Sequence, residues 1–162
     1  MKTLLFKTRK LKFMEDTILN FYQYSSTLAS GGQPTEKNIE TLKNSGYEAI
    51  VNISLFTTPN AIAKEPLMVE YADMQYIHFP VDDSNLNAYH YLTFKGILNG
   101  LGDKKVFVHC GKNIKSSNLI HMYNVLENDV EEEKSILVLN KIQRPDFKWV
   151  EYFVQMGMTG LR

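Results

Sequence analysis

Three apolar blocks stand out along the chain: Glu48 to Ile53, Gln75 to Val81 and Lys105 to His109. Each is five to seven residues long, rich in Val, Ile, Phe and Tyr, and bounded by turn residues, which is how core strands read. Between them the apolar period lengthens to that of helices. Helices are expected over Glu36–Asn44, with Ile39 and Leu42 facing inward, Glu65–Asp73, Ala88–Leu101, Asn118–Glu127, Val130–Lys141 and Asp146–Met156. Thr35 is placed to cap the first of these, Gly46 to end it, and Gly102 to end the third. A short helix is expected over Glu15–Phe21 and an edge strand over Ser25–Ala29. Pro80 makes the chain leave the sheet near Val81, and Leu55–Lys64 is a long connection. Strands alternating with helices predict an α/β fold, a mostly parallel central sheet flanked by helices in one domain. Ligands of such sheets bind beyond the carboxyl ends of the strands.

Composition narrows this little. The 162 residues suffice for one substantial core, 44% of them are apolar, and the 18 basic and 18 acidic side chains cancel. That balance argues against bulk nucleic-acid binding. No run is long enough to span a membrane, and no secretory signal pattern is present. Residues 1–14 carry Lys2, Lys7, Arg9, Lys10 and Lys12, which reads as a basic N-terminal arm, loosely docked, ahead of a domain over 15–162. One unpaired cysteine excludes an internal disulfide and a cysteine-rich zinc site, and is most comfortable in a reducing, cytoplasmic setting. No metal or cofactor is expected.

That cysteine, Cys110, is the point where chemistry enters. It follows a strand ending in His109 and precedes the small polar run Gly111, Lys112, Asn113, Ile114, Lys115, Ser116 and Ser117, after which helical periodicity begins. At such a strand-to-helix turn, main-chain N–H groups and the positive end of the helix dipole favour an anion, whether a thiolate or a bound phosphate.

The segment resembles the active-site loop of cysteine-dependent phosphatases, His-Cys, five residues, Arg, then Ser or Thr. It is more similar to small bacterial proteins with the loop His-Cys-x-x-Asn-x-Arg-x-Ser: Asn113 and Ser117 match, and Lys115 stands where arginine is usual. Leu28 to Thr35, with one extra glycine, Ile50 to Ile53, His78 to Asp82, and Gln143 to Pro145 with Trp149 are also similar to the bacterial beta-lactamase-hydrolase-like, protein tyrosine phosphatase-like family, over roughly residues 15–155.

The resemblance implies a hydrolase of phosphate monoesters acting through a phosphocysteine. Cys110 would be the nucleophile. Gly111, Lys112, Asn113, Ile114, Lys115 and Ser116 would form the phosphate loop, and His109 would support it. Ser117 or Ser116 would donate to the departing thiolate or cap the next helix. Asp82 or Asp83 would be the general acid, with nothing to choose between them. Lys115 is a point charge where an arginine fork is usual, so slow turnover is expected. Two alternatives remain open: a phosphate-binding pseudophosphatase without turnover, and a rhodanese-like sulfur carrier. The expected partner is a phosphorylated substrate or a phosphate or sulfate anion. Oligomeric state is open.

Overall fold

The computed structural model describes the backbone of residues 2–162 and the side chains from Thr8 onward. Its elements are α1 (Lys2–Thr17), β1 (Tyr22–Gln23), β2 (Leu28–Gly31), α2 (Glu36–Asn44), β3 (Ala49–Asn52), α3 (Glu65–Tyr71), β4 (Gln75–His78), α4 (Ala88–Leu101), β5 (Val106–His109), α5 (Ile114–Glu127), α6 (Glu132–Ile142) and α7 (Phe147–Gln155). The sheet runs β1-β2-β5-β3-β4, with every pair parallel except the short edge pair β1–β2. This is the single α/β domain with a mostly parallel sheet that the periodicities predict.

The central position of β5 follows from its composition. All four residues of β5 and all four of β3 are buried, as expected for strands covered on both faces. Side chains alternate between two cores. Val106, Val108 and Cys110 join Ala49, Val51 and Ile53 under α4, α5, α6 and α7. Phe107 joins Ile50 and Ala29 against α1, α2 and α3. The fully buried Phe107 contributes about 1.5–3 kcal/mol by removal from water.

The N-terminal part departs from expectation. Instead of a helix over Glu15–Phe21, α1 ends at Thr17, and the chain turns through Asn20 in the left-handed region (φ 53°). Within 1–14, the described side chains belong to a helix whose Leu11 and Met14 pack into the second core. Lys2 and Lys7 of the expected basic arm lie outside the described side chains. The edge strand is β1; of the residues expected there, Ser25 to Thr27 form a turn, and Leu28 and Ala29 begin β2. At the other end, α5 begins at Ile114, four residues before the expected start.

Candidate active site

The sequence from β5 into α5 folds as a tight loop in which the Gly111 and Lys112 carbonyls and the Asn113 side-chain nitrogen are held from outside. Gly111 O accepts from Gln33 N at 3.3 Å and from Asn60 Nδ2 at 2.9 Å. A trans peptide sets the next N–H opposite its carbonyl, so Lys112 N–H is turned away from Gln33 and Asn60. Lys112 O accepts from Asn20 Nδ2 at 3.0 Å, and Asn113 Nδ2 returns a bond to Asn20 O at 2.6 Å. Asn113 occupies the N-cap of α5 in the left-handed region (φ 67°), a conformation asparagine tolerates better than most residues. The helix that follows leaves its first N–H groups without intrahelical partners, which is the basis of an anion site.

Gly111 has a steric reason to be glycine. A Cβ there would lie 2.9 Å from Thr58 Cγ2 and 3.0 Å from Asn60 Oδ1. The connection after β3 therefore acts as a strap laid directly on the loop.

Between strap and loop lies a cavity of about 410 Å³, lined by Thr58, Pro59 and Asn60, by Cys110, Gly111 and Lys112, by Ile114 and Lys115 of α5, and by Asp83. Cys110 is only 2% exposed. A larger cavity of about 560 Å³ opens at the opposite end of the sheet among Leu28, Val106 and Tyr123. No thiol or carboxylate lines it, so volume does not mark the site here.

Lys115 Nζ donates to Val81 O at 2.5 Å, joining the first turn of α5 to the segment after β4. Burial lowers its affinity for the proton below that of an ordinary lysine, while Cys110, Asp83 and Asp82 oppose that shift. The two aspartates have different surroundings. Asp82 is exposed and accepts from Ser84 N and Ser84 Oγ at 3.0 and 2.7 Å, which holds its carboxyl below the usual range. Asp83 lines the cavity, and its Oδ2 pairs with Lys148 Nζ of α7 at 2.8 Å.

The serines lie inside the first turn of α5 and do not cap it. Ser117 Oγ donates to Asn113 O at 2.6 Å and lies 3.0 Å from Ile114 O. Ser116 Oγ is buried without a protein partner.

His109 points to the other face of the sheet, where its Nε2 lies 2.6 Å from Glu65 Oε1 at the start of α3. Both side chains are buried, at 0% and 1% exposure. The other carboxylate oxygen, Oε2, accepts from Gln33 Nε2 at 3.0 Å and Asn52 Nδ2 at 3.2 Å. Burial, and next the charge of Glu65, push the neighbouring Tyr76 up to about 12.

Glu65 and Lys148 have no counterpart in the sequence reading. Glu65 is one acid among several at predicted helix starts, and Lys148 lies far along the chain from the loop. Only the fold joins them to it.

No family model matches the chain, and no curated protein does. Solved structures do. A phosphatase-like DUF442 protein from Shewanella putrefaciens CN-32 aligns at 23% identity over 89% of this chain and 94% of that one, with a TM-score of 0.79. P. aeruginosa TpbA, a Cys-to-Ser variant in complex with pTyr, aligns at 14% identity over 88% of this chain and 86% of that one, with a TM-score of 0.70. Tk-PTP in its active form aligns at 12% identity over 85% and 95%, also with a TM-score of 0.70. The fold agrees with the resemblance read from the sequence: the chain has the fold of protein tyrosine and dual-specificity phosphatases.

Proposed function

We propose that the protein is a cysteine-dependent phosphatase acting on phosphate monoesters. The observation that carries this reading is one cavity lined together by Cys110, by Ile114 and Lys115 at the amino end of α5, and by Asp83. A neighbour of the same fold holds pTyr, which supports a phosphorylated ligand here.

In the proposed reaction the phosphate lies over Cys110 against the main-chain amides of the loop. Sγ attacks phosphorus in line. The P–O ester bond breaks, its electron pair passes to the leaving oxygen, and that oxygen takes a proton from Asp83. Water then attacks the phosphocysteine. It gives its proton to Asp83, and the sulfur leaves as thiolate. Asp83 is favoured over Asp82 because it lines the cavity, whereas Asp82 is exposed and turned back onto Ser84. Lys112 and Lys115 supply positive charge. Ser117 braces the turn through Asn113 O, and neither it nor Ser116 lines the cavity.

One observation favours a second reading, a phosphate binder without turnover. Lys115 already donates to Val81 O, and an ammonium lacks the second parallel donor of a guanidinium. Hydrolysis of para-nitrophenyl phosphate decides between them. Turnover by the natural chain that is lost in Cys110→Ser supports the phosphatase. No turnover in the natural chain, with activity appearing in Lys115→Arg, supports the binder. Persulfide formation on Cys110 with thiosulfate would overturn both in favour of sulfur transfer.

A further inference from the structure

We propose that Glu65 is the positioning residue of this site: its carboxylate holds His109 in the Nε2–H tautomer and so fixes the end of β5 from which Cys110 projects. This rests on the phosphatase reading only for its effect on turnover.

Three side chains converge on one buried carboxyl group: His109 on Oε1, and Gln33 and Asn52 on Oε2. An ionised carboxylate is acceptor-only and satisfies all three at once. A protonated one would turn a hydrogen against one of the donors, or oblige His109 Nε2 to become an acceptor. The imidazole proton therefore belongs on Nε2, because which nitrogen carries it is set by the partner of that nitrogen. His109 Nδ1 is buried with no protein partner. A bare lone pair there is less costly than a stranded N–H, which favours the same tautomer.

The ring is also restrained by its neighbours. It stacks on Phe107, with centroids 6.0 Å apart and planes 16° from parallel. His109 O accepts from Ile53 N at 2.9 Å. Backbone and side chain of the residue before Cys110 are thus both fixed, the backbone by β3 and the side chain by α3. Glu65 directly follows the strap that carries Asn60, so a single segment holds the loop at two points: Asn60 on Gly111 O and Glu65 on His109. A buried carboxylate whose two oxygens both accept is a rigid anchor for its donors, and the carboxylate–histidine pairing orients functional imidazoles in other proteins.

Glu65→Gln provides a sharp test because an amide has one acceptor and one donor end. Turning its oxygen to Gln33 and Asn52 presents its NH₂ to His109, which then has to accept at Nε2 and carry the proton on Nδ1. Long-range ¹H–¹⁵N NMR of the histidine rings at neutral pH reads the tautomer directly. The natural chain is expected to show His109 protonated on Nε2 alone, and Glu65→Gln to move the proton to Nδ1. The variant's kcat on para-nitrophenyl phosphate is expected to fall about tenfold or more, with KM changed much less. An Nδ1–H or doubly protonated ring in the natural chain overturns the proposal, and that spectrum decides the matter even if the variant does not fold. A folded variant with unaltered tautomer and kcat also overturns it. If the natural chain shows the Nε2–H tautomer but no turnover, the phosphatase reading fails while the role of Glu65 stands.

Discussion

Asp82 and Asp83 are adjacent in sequence and differ in what holds them. Ser84 wraps back onto Asp82 in a local turn and stabilises the anion, whereas Asp83 reaches the cavity and meets Lys148. A general acid contributes about 10²–10⁴-fold. Asp83→Asn is therefore expected to lower kcat by about 100-fold or more, and Asp82→Asn by less than about threefold. Steady-state kinetics on a substrate with a poor leaving group checks this, since an activated leaving group needs little protonation. Sequence placed both acids in the loop after β4 and could not choose between them, because the choice depends on side-chain direction there. Ser84, which captures Asp82 two residues away, was the available local signal. Glu65 was illegible for a different reason: its partners come from three separate segments, and nothing local distinguishes it from the other acids that begin helices.

Among the elements, α5 shows most clearly where pattern reading stops. Its apolar period begins near Asn118, but the helix starts at Ile114 because Asn113 takes the left-handed conformation and Ser117 bonds back to Asn113 O. Lys115, Ser116 and Ser117 look like loop residues by polarity. They are instead the first turn of a helix, in which Ser117 N bonds to Asn113 O at 3.2 Å and Lys115 lines the same cavity as Cys110. In α1, among the described residues, Leu11 and Met14 dock into the second core. α6 uses its first turn to hold the chain terminus. Glu132 accepts from the N–H groups of Thr159, Gly160 and Leu161 at 2.9, 3.0 and 3.3 Å. Burial works against its ionised form, but those donors prevail and the carboxyl lies below its ordinary value. Hydrogen bonds to a charged group contribute about 1.5–3 kcal/mol. Glu132→Ala is expected to destabilise the fold by about that amount and to raise amide exchange at 159–161, as hydrogen-exchange mass spectrometry and urea denaturation would show.

At the scale of the molecule, the alternation of strands and helices led to the parallel α/β sheet, and the buried composition of β3 and β5 is consistent with their central places. The strand order was not legible, since periodicity says which segments are strands and not which are neighbours. One prediction concerns global stability. His121 lies under α6 and α7, with Nδ1 on Ser135 Oγ at 2.7 Å and its ring against Phe153, and burial lowers it to about 4 from an ordinary 6.5. The folded state then binds a proton less readily than the unfolded state. Its contribution is full above about pH 6.5, declines as pH falls, and is gone below about pH 4. The difference amounts to about 3 kcal/mol. Denaturant midpoints measured from pH 7 to pH 4 should fall accordingly, and the His121→Gln variant should show a shallower decline. The solitary thiol has a practical consequence as well. Any reagent that consumes one sulfhydryl per chain has reached the space between strap and loop, so the rate of a simple alkylation is a clock for how often that space admits a molecule from solvent.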